Sequence, residues 1–77
     1  LGLVENDSLA YVNLGEVMSD PAYSGHDPVQ GLAYCLRAVE ITSNEDRQVQ
    51  YSRRCNRLAR ALDAAQQAEA RAMMGSL

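Results

Sequence analysis

Seventy-seven residues with a net charge of −3 allow one small domain with a modest core, and a domain of this size buries only about 60% of the surface its unfolded chain exposes. Every base is Arg, Phe and Trp are absent and Ala occurs 11 times, which favours closely packed helices over a sheet; no window alternates in the period-2 manner of a strand. No apolar run approaches the roughly 18 residues of a membrane span, and a pI of about 4.9 argues against nucleic acid as a partner.

Asn6, Asp7 and Ser8 offer side-chain oxygens that can cap a first helix, and Leu9, Ala10, Val12, Leu14, Val17 and Met18 follow at mixed spacings of three and four. This helix is expected to stop near Ser19, because Asp20 precedes Pro21 and a pre-proline residue is steered away from the helical region. Residues 19–26 form a loop. Asp27-Pro28 starts a second helix: Asp27 caps, and Pro28 occupies a position whose N–H has no helical partner. Its stripe is Leu32, Cys35, Leu36 and Val39, with Tyr34, Ala38 and Ile41 beside it, and it ends near Ile41. Thr42 to Glu45 read as a capping box for a third helix running from about Ser43 to Leu62. That helix sets Val49, Tyr51, Cys55, Leu58, Ala59 and Leu62 against a polar side of Arg47, Arg53, Arg54, Arg57 and Arg60. Asp63 is a further cap or a bend, Ala64 to Met74 a fourth helix, and Gly75 its end. Met73 and Met74 read as core or terminal packing, with adaptable contacts to a partner as the alternative. The expected fold is all-α: four helices as two antiparallel αα-hairpins, about 7–41 and 43–74, in a repeat-like stack.

Charge is uneven along the chain. Residues 1–46 hold eight acids and one Arg; residues 47–77 hold six Arg and two acids. The two halves can pair within the fold or present two faces to partners. Cys35 and Cys55 are too few for a disulfide framework or a zinc site. They fall on neighbouring helices, where one disulfide is an option and two buried reduced thiols are the expectation.

Two stretches invite chemistry. His26-Asp27 lacks a nucleophile at a recognisable spacing and a repeated ligand pattern, so Asp27 is read as a helix cap and His26 as a solvated loop residue. No catalytic residue, metal or cofactor is expected. Arg53, Arg57 and Arg60 stand at i, i+4 and i+7. They form either a solvated face bridged to the acidic half or a docking face for acidic segments, since a guanidinium fork binds carboxylates bidentately. Candidate partner-binding residues are Arg53, Arg54, Arg57 and Arg60, with Tyr11 and Tyr23 as weaker candidates.

Ala10, then Leu14-Gly15, Met18, Asp27 nine residues later, Gly31, Tyr34 and Arg37-Ala38 fall in one ungapped register. In this register residues 10–42 resemble a Sel-like repeat, a relative of the tetratricopeptide repeat. Met18 takes the place of an aromatic and Gly31 that of an Ala, while Pro21 and Tyr23 stand where the loop glycines of the family would be. The Leu62, Gln66, Ala70 spacing is similar to the helices that often close such arrays. The resemblance implies a helical scaffold holding a partner protein or a neighbouring domain in a groove between hairpins. Gly15 and Gly31 each cost a helix roughly 1 kcal/mol relative to Ala, and they make sense where two helices approach closely. Repeat arrays usually need three or more units, so two hairpins predict a homodimer or a truncated array, and Leu rather than Met at position 1 predicts a piece of a longer chain. The alternatives are a helical accessory domain of a larger enzyme or secretion-associated protein, and a small metal-responsive or redox protein using His26 or the cysteines.

Overall fold

The computed structural model describes residues 2–77, with side chains described from Asp7 onward. Four helices follow in order: α1 (Gly2–Met18), α2 (Pro28–Ile41), α3 (Glu45–Ala59) and α4 (Ala64–Met74). The all-α stack is centred on α2, which packs against each of the other three, while α1 also touches α3. Being covered from three sides, α2 buries neighbouring positions as well as a stripe: Gly31, Leu32, Ala33, Cys35 and Ala38. Val12 of α1, Tyr51 and Cys55 of α3, Leu62 of the α3–α4 turn and Ala70 of α4 complete the core. Among the described residues no helix is long and apolar enough to cross a membrane.

Two residues without side chains set the α1–α2 seam. A Cβ on Gly15 would stand 2.6 Å from the Gly31 carbonyl oxygen, and one on Gly31 would stand 2.7 Å from that of Gly15. Backbone meets backbone here, so only glycine fits on either side. One end of the seam is tied by the Ser8 hydroxyl, which donates to the Ala38 carbonyl at 3.0 Å. That carbonyl also accepts from the Thr42 N–H at 3.1 Å, using both its lone pairs. At the other end the Asp27 N–H donates to the Met18 carbonyl at 2.8 Å, and the Ser19 hydroxyl to that of Gly15 at 2.8 Å. In the loop that follows, the Asp20 carboxylate accepts from the Ala22 N–H at 2.9 Å, closing a side-chain turn.

Ser8 also corrects the first helix start. The helix begins at Gly2, well before the Asn6–Ser8 caps, and Ser8 is wholly buried in its middle. With helix already running on its N-terminal side, Ser8 is not at a cap position, and its hydroxyl instead donates across to α2.

The α2 cap is as expected: Asp27 accepts from the Gln30 N–H at 3.1 Å, with Pro28 next. At α3 the Thr42–Glu45 capping box is replaced. Asn44 caps instead, accepting from the Arg47 N–H at 3.0 Å, and Thr42 accepts from the Asn44 N–H at 3.3 Å. The helix therefore spans Glu45–Ala59 rather than 43–62. Leu62 lies in the turn after it and still reaches the core. The Gln67 side-chain amide closes this turn by donating to the carbonyls of Ala59 at 2.9 Å and Leu62 at 3.1 Å, the first of which also accepts from the Leu62 N–H at 3.0 Å. Asp63 and Gln66 form a reciprocal capping box for α4, and Gly75 ends it.

The largest correction concerns the cysteines. Cys35 and Cys55 are joined by a disulfide, with Cα atoms 5.6 Å apart and relative exposures of 0% and 2%. Reduced thiols were expected because sequence spacing does not show which helix faces meet. In the fold, α2 and α3 turn both side chains toward one another in the core. Closing a loop across 20 positions of sequence corresponds to about 3 kcal/mol in the chain-entropy account.

Candidate interaction surface

The side of α3 opposite Cys55 is open. Val49, Arg53, Asn56, Arg57 and Arg60 are exposed along it, spaced by threes and fours so that they share one face. The helix lies this way because Tyr51 and Cys55 are drawn into the core and Leu58 packs against it, leaving the guanidinium groups in water. Among the described residues no carboxylate pairs with Arg53, Arg57 or Arg60. Arg57 stands in the last turn of α3, where the helix dipole favours a cation.

Arg54 behaves differently. It points toward α1, where its Nε lies 3.0 Å from Glu16 Oε1, and both side chains are more than a third exposed. Of the four candidate arginines, the structure thus keeps three in one outward row and turns the fourth to an internal bridge. Arg37 is likewise occupied, 2.9 Å from Glu40 on its own helix.

Tyr11 is half-buried, its ring stacked on Tyr34 with centroids 5.6 Å apart and planes at 23°. It shares an open groove of about 310 Å³ with Asp7, Arg37 and Ile41, on the α1–α2 side of the molecule. Tyr23 is exposed in the loop, with its ring folded over Gly25. Neither tyrosine joins the arginine row. His26 is exposed and its N–H donates to the Tyr23 carbonyl at 3.0 Å, while the Asp27 carboxylate is engaged as the α2 cap. The pair that stood out in the sequence thus divides between loop and cap. Among the described residues no three His, Cys, Asp or Glu side chains are grouped to hold a metal ion.

Sequence reasoning did not find a second surface. The side of α1 that faces away from α2 carries Ala10, Leu14 and Val17, with Leu9 at its border, all exposed. The signal was present in the apolar letters of α1, which run around the helix instead of along one stripe. Comparison with family models, curated proteins and solved structures returned no match.

Proposed function

We propose that this chain is a non-catalytic helical interaction module that docks an acidic segment of a partner protein or neighbouring domain on the outer face of α3. One observation carries the reading: Arg53, Arg57 and Arg60 stand in a single exposed row with no carboxylate among the described residues to neutralise them, on a chain whose net charge is negative. An unspent row of planar donors suits bidentate capture of carboxylates. The glycine crossing of Gly15 and Gly31 supports a Sel-like or tetratricopeptide-like scaffold for that face, because it answers the two helix-weakening residues of the repeat pattern with a packing reason.

A second reading has its own support. A buried disulfide in so small a domain suits an oxidising compartment, where such bonds form and persist. This favours the accessory domain of a secretion-associated protein over a module surrounded by cytosolic reductants. The two readings are compatible, since an accessory domain can dock through the same row.

Fluorescence anisotropy with a labelled Glu/Asp-rich peptide tests the docking face. Binding is expected to weaken steadily with added salt and to vanish in an Arg53→Glu, Arg57→Glu, Arg60→Glu variant. Equal binding by that variant would refute the assignment.

A further inference from the structure

We infer that the partner of the arginine row is a second copy of this chain, which offers the outward face of α1. This deepens the proposed docking function and rests on it.

The α1 face needs a cover. Leu9, Leu14 and Val17 are 45%, 37% and 46% exposed, although they are the kind of residue the core otherwise collects. Ala10, Asn13, Leu14 and Val17 follow the i, i+3, i+4, i+7 pattern of a surface that receives another helix. Ser8, Val12 and Gly15 turn the opposite side of α1 to the core, so Ala10, Leu14 and Val17 add a second, uncovered apolar stripe to this helix.

Charge selects the occupant. The sequence of α1 contains Glu5, Asp7 and Glu16 and no base, and Asp20 follows its end. Asp7 and Asp20 are exposed, three residues before Ala10 and three after Val17. Pairing this face with itself would set acid against acid. Pairing the α3 row with itself would set Arg against Arg. Crossing the two satisfies both. Arginine stems are apolar and lie well on Leu14 and Val17, while their heads reach the flanking carboxylates. Val49, which is 53% exposed at the near end of the row, adds an apolar contact. From Ala10 to Val17 and from Arg53 to Arg60, each stripe rises about 10 Å along its helix, so their lengths match.

Such a contact can be made twice in a closed two-fold pair, each α1 on the other copy's α3, or head to tail, where assembly continues until it closes or extends. Sedimentation velocity across a concentration series reads this directly. The expected result is a weight-average mass that rises at least about twofold with concentration and falls back as salt is added. A Leu14→Arg, Val17→Arg variant and the Arg53→Glu, Arg57→Glu, Arg60→Glu variant should each remain monomeric, because each has lost one of the two faces that the contact joins. All five positions are exposed or lie at the surface of helices whose buried sides are unchanged, and far-UV circular dichroism confirms that each variant is folded. Association of the triple Glu variant by itself would mean that α1 pairs with α1, which overturns the proposal. A wild-type chain that stays monomeric while binding the acidic peptide would overturn it too, leaving the docking face with a different protein as its partner. A wild-type chain that neither self-associates nor binds the acidic peptide would end both readings.

Discussion

The two seams along α2 are made in opposite ways. On the α1 side, helices touch because atoms are missing: Gly15 and Gly31 bring carbonyl and Cα into contact, and one serine hydroxyl reaches across. On the α3 side, helices are held by an added bond between Cys35 and Cys55, with Tyr51 and Leu58 packed around it. The first seam is shape and cannot tolerate a larger residue. The second is covalent and tolerates much, provided that the bond survives. A small domain with limited apolar area can use both devices where a larger one would rely on the bulk of its core.

Removing the bond should produce the largest effect. A Cys35→Ala, Cys55→Ala variant is expected to lose about 3 kcal/mol, equivalent to roughly 12–24 °C in Tm for a domain of this size. Thermal melts monitored by circular dichroism check this. Hydrogen exchange sharpens it, because amides of α3 should lose protection before those at the α1–α2 seam. If protection falls evenly, the two seams are not independent.

Filling the other seam comes next. Gly31→Ala gains about 1 kcal/mol in helix propensity, yet its Cβ would meet the Gly15 carbonyl and the Ser19 hydroxyl, so a net loss of about 2 kcal/mol is expected in urea denaturation. A neutral or stabilising result would show that the helices can part without cost. Ser8→Ala is smaller, about 1 kcal/mol, since the Ala38 carbonyl keeps its bond from Thr42 and only one buried hydrogen bond is lost. Glu16→Gln should cost least, about 0.5 kcal/mol at low salt and nothing measurable at high salt, because both partners of the Glu16–Arg54 bridge are well exposed.

What could be read from the sequence was mostly local. Asp27-Pro28 marks a helix start and Asp63 a cap or a bend; the structure makes both aspartates caps, with Gln66 completing a box at Asp63. The outward row of Arg53, Arg57 and Arg60 follows from helical period alone. The first helix start was misplaced because Ser8 had two uses, a local cap or a bond to α2, and only the fold brings Ala38 within reach. Thr42 and Asn44 competed for one helix end, and two residues of difference decide which backbone N–H each can meet. The disulfide and the Glu16–Arg54 bridge join residues 20 and 38 positions apart, and no spacing rule reports which faces of two helices turn toward each other. The exposed side of α1 is hidden in sequence for a related reason: of the six apolar residues that mark the helix, Leu9, Ala10, Val12, Leu14, Val17 and Met18, only Val12 is buried in the core.

Cys55 lies on the inward side of α3, and Arg53 and Arg57 flank it in sequence on the outward side. Tension applied to those arginines therefore has a short path: through one turn of helix, across the sulfur bridge and into the middle of α2. A helix held only by packing peels away from its end when pulled, whereas α3 is riveted at Cys55, one turn before its C-terminal end. Under mechanical load, any contact made at the arginine surface should give way before the helix that carries the row does.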